Sequence, residues 1–180
     1  MPSRALLTES QTISAAEITQ ALANQGIARV SLSAAVTRTS TTTLTNTGLT
    51  ALTVSLLQSS RYRLTYRLYA QGDTGGFKMG FTFPSSLTQF DGGMYKYETV
   101  SGYEIVVSFD WGSQAYGSGD AIMDAVPNST QVGGLIFTAD ITTGSTANTY
   151  GDFAVVFAQN TSSASASTMS QNSCVEVLKF

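Results

Sequence analysis

Arg61-Tyr62-Arg63-Leu64-Thr65-Tyr66-Arg67-Leu68 is the stretch that decides the fold class. Tyr62, Leu64, Tyr66 and Leu68 lie on one side of an extended chain, and Arg61, Arg63, Thr65 and Arg67 on the other. Side chains alternate across a strand with period two, so this pattern predicts an antiparallel strand with one face in a core and one in water. Downstream, Gly72-Asp73-Thr74-Gly75-Gly76 predicts a turn, because glycine tolerates positive φ and Asp and Thr bond their own backbone. Phe77, Met79, Phe81 and Phe83 then share a face until Pro84 ends the strand.

The same period continues to the last residue. Asp91-Gly92-Gly93 predicts a second turn and Met94–Val100 another strand. Tyr103, Ile105, Val107, Phe109 and Trp111 then alternate with Glu104, Ser108 and Asp110, and the Gly- and Asp-rich Gly112–Asn128 is the longest expected loop. Leu135, Phe137, Ala139 and Ile141 mark a further strand, Phe153, Val155 and Phe157 the next, and Ser173–Phe180 the last. Upstream, Ile27–Val36 predicts a first strand, the hydroxyl-rich Thr37–Thr47 an exposed edge strand of β-branched residues, and Leu52, Val54 and Leu56 another alternating segment. No run after Gly26 has a helical period, which argues against a βαβ arrangement. The expected fold is all-β, an antiparallel β-sandwich of about eight strands in two sheets, a jelly roll.

Met1–Gly26 reads differently. Ser14-Ala15-Ala16-Glu17 has capping-box spacing, Ile18, Ala21 and Leu22 follow at helical spacing, and Gly26 is a C-terminal stop. A helix over Ala15–Gln25 is too short to persist alone in water, so its apolar face needs a surface to dock on. Residues 1–26 are therefore expected to form an arm with a short helix, and residues 27–180 the sandwich domain.

Composition narrows the chemistry. The 180 residues are 42% hydrophobic but only 12% charged, against about 25% in ordinary soluble domains, and serine and threonine supply the missing polarity. Without histidine there is no Ser-His-Asp or Cys-His triad and no His-ligated metal. A single cysteine, Cys174, excludes an intrachain disulfide, a redox pair or a cysteine zinc site, and it reads as a small buried residue. A net charge of −3 with scattered Lys and Arg gives no footprint for nucleic acid. No apolar run approaches the roughly 20 residues that span a bilayer, and the first residues lack a secretory layout.

A few groups remain as candidates for chemistry. Glu98, Glu104 and Asp110 stand on neighbouring predicted strands, and paired carboxylates serve glycosidases. The simpler reading is that they balance Arg61, Arg63 and Arg67 across a sheet. Asp120, Asp124 and Asn128 offer oxygen ligands without the spacing of a calcium loop. Asn128-Ser129-Thr130 and Asn160-Thr161-Ser162 match the glycosylation sequon, which is expected by accident in so hydroxyl-rich a chain.

Several stretches resemble virion structural proteins of tailed bacteriophages that carry a jelly-roll domain. They are Thr41–Thr50, the pair Arg61–Leu68 and Gly76–Pro84, and the ending Gly151–Ala164 with Cys174–Phe180, where Phe157-Ala158-Gln159-Asn160-Thr161-Ser162 precedes a Ser/Ala alternation and a terminal strand. The resemblance runs from about Arg38 to Phe180. It implies a non-enzymatic capsid decoration (cement) protein, a head fibre or a piece of a tail fibre, commonly trimeric, and it carries over no catalytic residue.

The expectation is therefore a homotrimer on the outer capsid surface of the virion, made in the host cytoplasm. It would bind the major capsid protein over junctions between subunits, alongside other minor capsid proteins, with no cofactor, metal, nucleic acid or membrane. Leu6, Leu7, Ile13, Ile18 and Leu22 are the expected capsid contacts, and Arg61, Arg63 and Arg67 the expected trimer or sheet-face contacts. The alternative is a receptor-binding fibre module recognising host glycans through Tyr95, Tyr97, Trp111 and Tyr116. A carboxylate-based polysaccharide hydrolase and a carbohydrate-binding jelly roll stand further off.

Overall fold

The computed structural model describes residues 27–72, 74, 76–97, 121–124 and 132–180. The expected helix over Ala15–Gln25 and the strand around Tyr103–Trp111 lie outside them. Among the described residues the chain forms strands β1 (Ile27–Ser31), β2 (Val36–Arg38), β3 (Val54–Leu56), β4 (Arg61–Gln71), β5 (Lys78–Thr82), β6 (Gln89–Tyr97), β7 (Ala121–Asp124), β8 (Val132–Thr142), β9 (Gly151–Ala158), β10 (Ser167–Met169) and β11 (Cys174–Lys179). A single 3-10 turn spans Thr50–Leu52.

Two antiparallel sheets result, and they face each other as a β-sandwich. In the larger, β4 is flanked on one edge by β8 and then β6, and on the other by β11 and β10, which carry β1 and β2 outside them. The smaller has the order β3-β9-β5-β7. Eleven strands stand where about eight were expected, partly because two long ones are interrupted at the same level. β1 and β2 run in one line beside β11 and β10, broken at Leu32–Ala35 and at Ser170–Ser173. At the break the Ser173 hydroxyl takes the place of a ladder group, accepting from the Tyr69 amide at 3.0 Å while its carbonyl accepts from the Leu32 amide at 2.9 Å.

Taking each interrupted pair as one strand and setting β6 aside leaves eight strands in a simple order. The first pairs with the eighth (β1/β2 with β11/β10), the second with the seventh (β3 with β9), the third with the sixth (β4 with β8) and the fourth with the fifth (β5 with β7). These eight strands thus form one long antiparallel ribbon. It is rolled on itself so that the eighth strand also pairs with the third, and the seventh with the fourth.

The β4 alternation is as the sequence dictates: Tyr62, Leu64, Tyr66 and Leu68 are buried, and Arg61, Arg63 and Arg67 exposed. Leu135, Phe137, Ala139 and Ile141 of β8 oppose them in register and complete the inner face. Between the sheets, the Phe81 and Phe137 rings lie 4.3 Å apart at their centroids, Tyr66 and Phe81 5.1 Å, and Tyr66 and Phe153 5.9 Å. Such tilted and offset contacts add to the burial of large apolar area. The Tyr66 hydroxyl is wholly buried and donates to the Leu52 carbonyl at 3.0 Å.

Three expectations are corrected. Asp91-Gly92-Gly93 is not a turn but the middle of β6, opposite Asp140, Ala139 and Thr138. Pairing along a nine-residue strand outweighs the local turn preference of three residues. The hydroxyl-rich Thr37–Thr47 leaves the sheet after Arg38 and returns only at a single bridge, Thr45 to Phe157. Gly48, with φ +76° and a Cβ position 3.0 Å from Val36 Cγ1, marks a bend that only glycine fits. Finally, Gly112–Asn128 is not loop throughout, since β7 lies within it.

Candidate functional site

The structure offers three distinct surfaces, each set by the rolled ribbon. The first is the outer face of the larger sheet, where the odd positions of β4 emerge. Arg63 donates through Nε and Nη2 to both carboxylate oxygens of Asp140, at 2.8 Å each. This bidentate bond holds the Asp140 carboxyl below its ordinary range and raises the guanidinium. Arg29 approaches Glu176 at 4.0 Å on the same face. Arg61 and Arg67 are exposed beside them.

Of the arginine row, Arg63 is the member with an acidic partner among the described residues. Glu98, Glu104 and Asp110 lie outside the described residues, and the partner is Asp140, an outward position of β8. Its place in the alternation of β8 was legible, whereas the register that sets it opposite Arg63 was not.

The second surface is the end of the sandwich where β4 finishes at Gln71. Here the buried Gln159 ties two loops together. Its Oε1 accepts from the Thr41 amide at 3.3 Å and the Ser163 amide at 3.1 Å, and its Nε2 donates to the Ser165 carbonyl at 2.5 Å. Thr74 and Ser163 share a hydrogen bond of 2.8 Å between their hydroxyls. Arg38 closes the space beneath, its guanidinium 4.5 Å from the centre of the Phe157 ring and its Nη2 donating to the Thr47 carbonyl. Partial burial lowers the guanidinium's pKa, and contact with the ring face offsets part of that cost. Gln159 was legible only as part of a motif, because nothing local says that its side chain points inward.

The third surface is the opposite end, where β4 begins at Arg61. Ile27, Leu57, Tyr150 and Phe180 are exposed there, as are the polar Gln58, Ser145 and Asn148. Ile27 pairs with Leu178 and the Phe180 amide donates to the Arg61 carbonyl at 3.0 Å. Leu57 follows β3 and receives the Tyr62 hydroxyl on its amide at 2.8 Å, while Tyr150 immediately precedes β9. The sequence showed these residues, but only the topology brings them to one end.

Other candidate residues are placed as follows. Leu6, Leu7, Ile13, Ile18, Leu22, Trp111, Tyr116, Asp120 and Asn128 lie outside the described residues. Tyr95 and Tyr97 fall within β6 and Asp124 within β7. Cys174 is buried, as expected. Asn160 is exposed in the loop after β9. Among the described residues no three acidic or cysteine side chains gather as a metal site, and no helix is long and apolar enough to cross a membrane. The acid–base pair held closest, Arg63 with Asp140, joins two strands of one exposed sheet face. Comparison with protein-family models, with curated proteins and with solved structures finds no match.

Proposed function

We propose that the chain is a non-enzymatic structural protein of a tailed-phage virion, a homotrimeric capsid decoration protein that binds over junctions between major capsid subunits and stabilises the head. The observation that carries the reading is the two-sheet antiparallel sandwich whose outermost strands pair with one another, β1 with β11 and β3 with β9 outside β4 with β8, an order that supports reading it as a jelly roll. This is the architecture implied by the resemblance of Arg61–Leu68, Gly76–Pro84 and Gly151–Ala164 to phage virion proteins. The surface agrees with such a role. Hydroxyl-rich loops tied by Gln159 present hydrogen-bonding groups without ions, so contact with a neighbour does not require unpaired charge to be desolvated. Many modest contacts per copy, multiplied over a trimer, give tight attachment to a shell.

The test is co-sedimentation of the full-length protein with heads prepared without it. Saturable binding, with the heads surviving heat better than bare ones, is the expected result. Heads that leave the protein in the supernatant at every ratio would contradict the reading.

A further inference from the structure

We propose that residues 15–25 form a helix that docks on the chain's own larger sheet, its apolar stripe against Ile27, Leu178 and Phe180. This assignment goes beyond the decoration reading and does not depend on it. Ile18 and Leu22, expected on the capsid, are given instead to a surface of the same chain.

The register places the three sheet residues together. Ile27 stands opposite Leu178, and the Leu32 amide donates to the Ser173 carbonyl five residues further along β1. With a period of two, Ile27 and Leu178 are then a non-hydrogen-bonded pair, in which Cα atoms approach to about 4.5 Å and the side chains meet. Phe180 extends the β4–β11 ladder by one residue, its amide bonded to the Arg61 carbonyl, so it lies on the same face as Leu178. Ala28, Val30, Leu64 and Val177 are buried on the inner face, which leaves Ile27, Leu178 and Phe180 on the outer one. There Ile27 is 69% exposed and Phe180 58%, with Leu178 partly buried between them. Cross-strand and same-face neighbours of this kind make one continuous apolar strip at the corner of the sheet, beside Arg29, Arg61 and Arg63.

The chain itself supplies the cover. β1 starts at Ile27, and Gly26 alone separates it from the predicted helix. The Gln25 Cα therefore lies no more than about 7.5 Å from that of Ile27, so the last turn is held at the apolar corner. Ile18, Ala21 and Leu22 form one stripe at i, i+3 and i+4, and eleven residues are too few to stay helical in water without burying it. Glycine just past the helix end permits the reversal that folds the helix back over the strand it precedes. The inner side of β1 is already filled by the core, so the outer face is the one left to cover. Arg61, exposed and opposite Phe180, brings positive charge to where the carbonyl end of the helix arrives. A one-residue tether keeps the stripe at high effective concentration, so a small contact suffices.

Hydrogen exchange and methyl NMR on the full chain test this. The amides of residues 21–25 should exchange at least about tenfold more slowly than in an unstructured chain. Methyl groups of Ile18 and Leu22 should show contacts to Leu178 and to the Phe180 ring. The double variant Ile27→Ser/Phe180→Ser changes exposed positions of the strip, and Leu22→Ser changes the stripe from the other side. Each should abolish the protection of residues 21–25 while Leu64 and Tyr66 keep theirs. Ile136→Ser, on the same outer face but opposite Arg67, should leave it intact. Unprotected amides in the unaltered chain would overturn the inference, as would protection that survives in both the double variant and Leu22→Ser. Protection that appears only when heads are added would also overturn it, by putting the segment on the shell. Head binding is read separately by co-sedimentation, so the decoration reading stands or falls on its own result.

Discussion

Tyr66 joins the two sheets through both its ring and its hydroxyl. Its ring contacts Phe81, Phe137 and Phe153, and its hydroxyl donates to Leu52, the last residue of the 3-10 turn before β3. Burial pushes the phenol far above its ordinary pKa, so it stays a neutral donor. Tyr66→Phe keeps the ring and strands the Leu52 carbonyl, and is expected to cost about 1–2 kcal/mol in denaturant unfolding with an unchanged m-value. Asp140 belongs to the same scale. The hydrogen bonds from Arg63 hold its carboxyl below the ordinary range, so its contribution is present above the ordinary carboxylate pKa and disappears as pH falls through the lower folded one. The two side chains are 53% and 43% exposed, which keeps the effect small. Melting followed from neutral pH into acid should lose part of its slope in Asp140→Asn, with the neutral-pH midpoint little changed.

At the scale of elements, legibility followed the source of the information. β4 and β8 could be read from alternation alone, because burial of one face is written residue by residue. β6 could not, since Asp91, Gly92 and Gly93 favour a turn locally and are held extended only by pairing with Asp140, Ala139 and Thr138. The break between β10 and β11 at Ser170-Gln171-Asn172-Ser173 was equally hidden. Ser173 is buried there and its hydroxyl substitutes for a backbone partner of Tyr69. Ser173→Ala should therefore destabilise the domain by about 1–2 kcal/mol, although serine to alanine is an ordinary change on a surface. Hydrogen exchange would show the Tyr69 amide losing protection before those of Leu64 and Tyr66.

For the whole molecule, the class of fold was legible and the roll of the ribbon was not. Alternation gives strands, but the partners of each strand depend on contacts between residues far apart in sequence, such as Arg29 with Glu176 and Val54 with Phe153. The candidate surfaces follow the same division. The arginine row was visible in Arg61–Arg67, whereas the gathering of Ile27, Leu57, Tyr150 and Phe180 at one end appears only after the chain is rolled. Low charge then acquires a structural meaning. One end is closed by hydroxyls and amides, the other exposes Ile27, Leu57, Tyr150 and Phe180 among polar loop residues, and the ion pairs Arg63–Asp140 and Arg29–Glu176 lie on a sheet face between them. Such a division suits a component that is held among neighbours. The most direct test is imaging of heads that lack the protein, with and without the full-length chain added. The account predicts added three-lobed density over the junctions between major capsid subunits, and heads whose surface is unchanged by the protein would contradict it.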